Sequence, residues 1–162
     1  MSWLPILKLL ILLTVANGTP VAAKKIFGDR FAWPLDGGLV LPDGRPLFGR
    51  SKTLRGIVAA LGVTTLAAPL LGLDAEIGGL VAIAAMAGDL LSSFIKRRFG
   101  LAPSSQAVGL DQIPESLFAF LACRSELALG YGDILAGTVA FLLGELILSR
   151  VLYMLRLRDE PY

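Results

Sequence analysis

An all-α, polytopic membrane protein with about five transmembrane helices is predicted by three observations on this 162-residue chain. Hydrophobic residues make up 55% of it and charged residues only 17%, against about 25% charged in average soluble domains. The mean hydropathy is +0.71. The apolar excess is gathered in runs close to the ~20 residues a helix needs to cross a bilayer. So short a chain allows one unit, a single integral membrane domain over residues 1–162.

The elements follow in order. Segment one covers about 3–23; it also has the apolar run and small-residue end of a signal peptide. Lys8 inside the run, the missing basic n-region and the trailing Lys24 and Lys25 argue against that. Its end, Ala16-Asn17-Gly18-Thr19-Pro20, is expected to interrupt the helix, since irregular backbone at that depth is tolerated where it lines a protein cavity. Segments two (about 56–73) and three (about 76–95) are joined by the minimal Leu73-Asp74-Ala75 link, which makes them an antiparallel hairpin. Segment four, about 113–130, is interrupted by Glu115, Arg124 and Glu126, so it is expected to be short or partly interfacial. Segment five, about 133–155, is unbroken and carries Glu145 near mid-membrane, where an acid must be protonated or paired with a polar span residue such as Arg124. Cys123 reads as an inert apolar filler.

Sidedness comes from the basic residues, which concentrate in cytoplasmic loops. With five spans, 13 of the 15 Lys and Arg fall in the loop 24–55, the loop 96–112 and the C-terminal end with its tail 156–162. Only Lys8 and Arg124 remain for the other side. A multi-pass protein of the cell membrane is therefore expected, with its N-terminus outside and its C-terminus cytoplasmic. Gly78-Gly79 and other small residues permit close helix packing and hence an oligomer.

Composition also limits the chemistry. The chain has no histidine and one cysteine, which removes disulfide frameworks, Cys/His zinc sites, catalytic triads and histidine acid–base catalysis. Carboxylates, Lys and Arg, hydroxyls or a hard metal must do any chemical work. The formal net charge of +2 gives no overall field for nucleic acid, and no such partner is expected.

Three clusters stand out. At the end of segment three, Asp89, Ser92, Ser93 and Lys96 stand at i, i+3, i+4 and i+7, one face of a helix beside Arg97 and Arg98. A carboxylate, two hydroxyls and an ammonium there suit a metal-bound phosphate; the plain alternative is an Asp89–Lys96 ion pair with Lys96–Arg98 as a membrane anchor. Leading into segment two, Phe48-Gly49-Arg50-Ser51-Lys52-Thr53-Leu54-Arg55-Gly56 sets cations and hydroxyls between glycines. The preceding Gly44–Ser51 stretch imitates a Walker A loop, but it has arginine for lysine, an internal proline and no β-strand before it. Opening segment four, Asp111-Gln112 lies on the same membrane side as Asp89. Two carboxylates converging with phosphate oxygens are the usual setting for Mg²⁺, although Asp111 also suits a helix N-terminus. Leu41–Pro46, turn residues between apolar ones, predicts a small hairpin in the long first loop.

These clusters, in this order, resemble the CDP-archaeol synthase family, small membrane cytidylyltransferases related to phosphatidate cytidylyltransferase. The resemblance spans nearly the whole chain. It rests on Asn17 and Pro20, Lys52-Thr53-x-Arg55-Gly56, Gly88-Asp89-x-x-Ser92-Ser93-Phe94-x-Lys96-Arg97-Arg98-x-Gly100, Asp111-Gln112 and, more loosely, Ser149–Tyr153 through Pro161-Tyr162. It implies transfer of CMP from CTP to a membrane lipid phosphate with Mg²⁺, giving a CDP-lipid and pyrophosphate. The lipid would be an archaeol-type ether lipid phosphate or phosphatidate. Asp89 and Asp111 would hold the metal, with Lys96 on phosphate oxygens beside Ser93. Lys52, Arg55, Arg97 and Arg98 would surround the triphosphate or lipid phosphate, and Asn17, Thr53, Ser92 and Gln112 would line the site. The partners would be CTP, the lipid phosphate and the bilayer. Ile113-Pro114-Glu115 after Asp-Gln departs from the family pattern and leaves the role of Glu115 open.

Two other classes compete with this reading. A CDP-alcohol phosphotransferase needs an aspartate-rich signature that is missing here: Asp36-Gly37 is followed by no Ala-Arg, and Ser93 stands where a second aspartate belongs. A small transporter or scaffold subunit with lipid-binding loops would tolerate Asp89→Asn and show no dependence on CTP.

Overall fold

The computed structural model describes residues 3–103, 105 and 107–154, the side chain of Leu152 excepted. Among these residues the chain forms helices α1 (Trp3–Phe27), α2 (Leu54–Ala67), α3 (Ala75–Arg98), α4 (Gln112–Ala122) and α5 (Tyr131–Met154), with a 3-10 turn at Pro69–Leu71 continuing α2. The tail 156–162, with Arg156 and Arg158, lies outside the described residues. The all-α membrane architecture expected from composition is the one observed. Helices are forced on a lipid-embedded chain because each must satisfy its own backbone polar groups.

Packing contacts fix an up-and-down order. Gly72 lies 3.7 Å from Lys8 Nζ, measured from the position a Cβ would take, so the α2–α3 link sits beside the start of α1. At the other end of the bundle, Gly56 packs on Pro20 and Asn17 of α1 reaches Glu115 of α4. A dry core joins Leu9, Leu12, Leu13 and Ala16 of α1 to Val81 and Ala85 of α3 and Phe120 of α4. The outward faces are apolar too: Leu66, Ile83, Leu135 and Ile147 are all exposed, as a lipid-facing surface requires.

Several boundaries differ from expectation, each for a physical reason. α1 runs on to Phe27 without a break at Ala16–Pro20. Lys24 and Lys25 occupy its last turn, where cations favour the helix dipole, and the Thr19 hydroxyl donates to Val15 O at 2.6 Å just before the proline. Among the described residues four helical stretches are long and apolar enough to cross a membrane; α4, with 11 residues, is not one of them. The helix ends before Arg124, and turns over 123–130 complete the fourth segment, with Leu129 buried in the core and its N–H donating to Arg124 O. Arg124 lies over the Tyr131 ring and donates to its hydroxyl at 3.0 Å, roughly 20 Å along α5 from Glu145 at 1.5 Å per residue. Gly78 packs against Thr64 and Ala68 of α2, so the small-residue face serves contacts inside the chain. Cys123 is fully buried, as a filler would be.

One close approach sets the depth of α4. A Cβ on Gly88 of α3 would lie 2.4 Å from the backbone carbon and oxygen of Pro114. Backbone cannot step aside as a side chain can, so Gly88→Ala should cost about 1–3 kcal/mol and lower the melting temperature in detergent. Gly62→Ala, where nothing lies within 4 Å, should leave it unchanged or raise it slightly.

Candidate functional site

The site gathers at the end of the bundle where α1 stops, α2 begins, and the loops 28–53 and 99–111 lie over α3. α3 carries most of it. Asp89 stands nine residues before the last helical residue, roughly 13 Å below the helix end. The polar face predicted at Asp89, Ser92, Ser93 and Lys96 is real, but its ion pairing is different. Asp89 is held by Lys52 Nζ, 2.6 Å from Oδ1 and 2.5 Å from Oδ2. Lys96 is paired with Asp111 Oδ1 at 2.6 Å. The simple Asp89–Lys96 pair is thus replaced by two cross-links, one to each loop.

Each pair is braced by its surroundings. Asp111 Oδ2 also accepts the Ala107 N–H at 2.8 Å, and Lys96 Nζ donates to Ser105 O at 3.0 Å. Ser92, fully buried, donates to Gly88 O and to Leu110 O at 2.5 Å, which pins the residue before Asp111 onto α3. Ser93 is buried beside it. Gln112 Oε1 accepts the Gly109 N–H at 2.9 Å and so shapes the entry to α4. Thr53 is the N-cap of α2, its hydroxyl accepting the Gly56 N–H at 3.2 Å. Thr53 also lines, with Ser51, Lys52, Asp89 and the apolar Pro20, Ile57, Met86 and Leu90, an open cleft between α1, α2 and α3.

Three predicted phosphate-binding arginines have protein partners. Arg55 donates to Gly28 O at 2.9 Å and Arg30 O at 2.5 Å, fastening the end of α1 to the start of α2. Arg97, 3% exposed, donates to Ala102 O at 2.8 Å. Its Nη1 would be 3.4 Å from a Cβ on Gly49, so both loops meet on it. Arg98 binds Asp43 at 2.5 Å and Pro46 O at 2.6 Å. In return Arg45 donates to the Arg97 and Arg98 carbonyls, which every helix C-terminus leaves unpaired. Gly100, at φ +74, completes that end: its N–H reaches Arg97 O while the Leu101 N–H reaches Lys96 O, an αL cap that glycine adopts without strain.

The expected hairpin is present as a Val40↔Pro46 bridge. Asp36 anchors its base by accepting the Phe48 N–H at 2.9 Å and the Gly49 N–H at 3.2 Å. Burial alone would raise this carboxyl; the N–H groups of Phe48, Gly38 and Gly49 outweigh it and hold it below the usual aspartate value.

Sequence reasoning did not assign Asp36, Asp43 or Arg45, and it left Glu115 open. Glu115 is 8% exposed, accepts from Asn17 Nδ2 at 2.5 Å, and lies within electrostatic reach of both Asp89 and Lys52. Its signal was its place four residues after Asp111, on the same helix face. For a divalent metal the donors are hard carboxylate oxygens. Among the described residues no three or more His, Cys, Asp or Glu form a cage. Mg²⁺ takes one or two such carboxylates and completes its shell with water and substrate phosphates. Buried Nε atoms of Arg55, Arg97 and Arg98 and the hydroxyls of Thr64, Ser105 and Thr138 have no hydrogen-bond partner among the described residues.

A family model for CarS-like CDP-archaeol synthase matches residues 73–162. A CDP-archaeol synthase of Aeropyrum pernix is 35% identical over 158 residues, covering 91% of this chain and 86% of its own. One from Pyrococcus furiosus is 43% identical over 107 residues, 60% of either chain. A solved structure, described as an intramembrane enzyme for archaeal membrane lipids biosynthesis, aligns with a TM-score of 0.75 at 32% identity. It covers 86% of this chain and 89% of its own.

The Asp36 anchor makes a signed prediction. A depressed carboxyl stabilises the folded loop above the ordinary value of 3.8, and that contribution is lost as pH falls through the lowered value. Hydrogen exchange of the Phe48 and Gly49 amides should therefore stay protected at neutral pH and lose protection in acid. Asp36→Asn should expose both amides at neutral pH; unchanged protection in that variant would show that the loop is held elsewhere.

Proposed function

The chain belongs to the CDP-archaeol synthase family, and from that premise we propose that it transfers CMP from CTP to an archaeol-type ether lipid phosphate, releasing pyrophosphate. The protein is a membrane-embedded cytidylyltransferase, a class that sets aside the transporter and phosphotransferase alternatives. The observation that carries the reaction is the pair of lysine-bound carboxylates at Asp89 and Asp111, set beside an open cleft that is polar at Lys52 and apolar at Ile57, Met86 and Leu90.

The chemistry asks little of acid–base groups. A phosphate oxygen of the lipid attacks the α-phosphorus of CTP, forming one P–O bond as the bond to the β-phosphate oxygen breaks, and pyrophosphate carries away the electron pair. The nucleophile is already an anion, so a chain without histidine suffices, and catalysis is positioning with charge neutralisation. Lys52 and Lys96 supply positive charge to the phosphates. Asp89 and Asp111, with Glu115 close to Asp89, supply oxygens for Mg²⁺, which when bound would neutralise phosphate charge. The cleft's apolar wall receives the headgroup-proximal part of the lipid. Because basic residues favour the cytoplasmic side, the end of the bundle that gathers Lys52, Lys96, Arg97 and Arg98 is read as the cytoplasmic one, and water-borne CTP arrives from that side.

The test is CMP transfer from labelled CTP by purified protein with Mg²⁺, offered an archaetidic-acid-type ether lipid and phosphatidate in parallel. Labelled CDP-ether lipid is expected, with less product from phosphatidate; equal or greater use of phosphatidate would overturn the lipid assignment. Asp89→Ala and Asp111→Ala should each lower turnover by roughly 10²–10³-fold while the proteins stay monodisperse in detergent. Near-normal rates in either would remove that residue from the site.

A further inference from the structure

Lys52 engages both oxygens of Asp89, so an ammonium already occupies the positions a cation would take on that carboxylate. Glu115, tied to Asn17, faces the same two residues. Asp89 thus holds the ammonium directly with Glu115 close by, and a carboxylate so placed in an apolar bundle would be strongly unfavourable without a counter-charge. The two partners differ in attachment. Asp89 is fixed on α3, whereas Lys52 comes from the loop just ahead of the α2 N-cap and lines the open cleft with Ser51 and Thr53.

We infer that Lys52 is an exchangeable counter-cation: it neutralises Asp89 in the unloaded protein, and an arriving nucleotide phosphate draws its ammonium away, opening Asp89, with Glu115 beside it, to a divalent cation. This rests on the reading that nucleotide and cation meet at Asp89. The ammonium and the cation compete for one pair of oxygens, and the phosphate relieves the competition by giving Lys52 another anion. Phosphate and cation binding are therefore positively coupled through this side chain. The coupling keeps the carboxylates neutralised at every stage, first by the tethered ammonium and then by the metal.

The experiment is Mn²⁺ binding to the full chain in detergent without nucleotide, followed by electron paramagnetic resonance of the free ion. Lys52→Met should bind Mn²⁺ more tightly than the unaltered protein by about tenfold or more, within the usual range of coupling between sites. Lys52→Arg, which keeps the charge, should bind as weakly as the unaltered protein. Adding Asp89→Asn to Lys52→Met should abolish the gain. Lys52→Gln, measured in parallel, carries the same expectation should the methionine variant not purify as a monodisperse species. Equal Mn²⁺ affinity with and without the lysine charge would overturn the exchange. CMP transfer by the unaltered protein is scored separately. A gain in Mn²⁺ affinity with no CDP-lipid would reject the reaction and leave the exchange standing, and the reverse would reject the exchange alone.

Discussion

The constraint on which this molecule turns is the cost of charge inside an apolar helix bundle. Asp89 sits roughly 13 Å below the end of α3, and in that position a carboxylate persists only if a partner neutralises it. The Lys52–Asp89 pair meets the requirement and brings the start of α2 onto α3; Lys96–Asp111 repeats the solution for the loop before α4. Both links join an anion and a cation from different elements. Paying down the charge and closing the site are therefore the same act of folding.

The arginines extend this logic to the loops. Arg98 and Arg45 exchange places: the α3 guanidinium serves the hairpin's carbonyls and Asp43, while the hairpin's guanidinium serves the carbonyls at the end of α3. A helix C-terminus always has such carbonyls to satisfy, and here their satisfaction fastens a loop of more than 20 residues above the site. Arg97, between Gly49 and Ala102, couples that loop to the second one. Basic residues that read from sequence as ligands for a triphosphate are thus, in the case of Arg55 and Arg98, the scaffold around the carboxylate-paired lysines.

That distinction explains how much was legible in the chain. Long apolar runs revealed the membrane helices, and the i, i+3, i+4, i+7 spacing revealed the polar face of α3, because both are periodicities of a single element. The end of α4 was less visible, since Leu127 and Leu129 anchor the following turns to the core and give the sequence the look of a continuing span. Pairings were not legible at all. Asp89 has Lys96 two turns away on its own helix, yet it takes Lys52, 37 residues distant. Long-range partnership of that kind depends on how helices cross, and α2 and α3 approach where Gly78 meets Thr64 and Ala68, with no charge involved.

Glu115 shows where sequence pattern and site chemistry part. As the residue after Pro114 in the first turn of α4 it is an ordinary acid at a helix N-terminus, a placement the dipole favours anywhere. The close α3–α4 approach at Gly88 turns that position inward, toward Asn17 and the Lys52–Asp89 pair. Three elements therefore meet here, α3 and α4 supplying the carboxylates and α1 the Asn17 amide that donates to Glu115, and the loop ahead of α2 supplies the ammonium paired with Asp89. A helix long enough to fill the fourth span would not be needed to build this group. What it needs is α4 beginning beneath the α3 terminus, with Ser92 holding Leu110 in place. The short fourth helix thus sets where Glu115 stands relative to the Lys52–Asp89 pair.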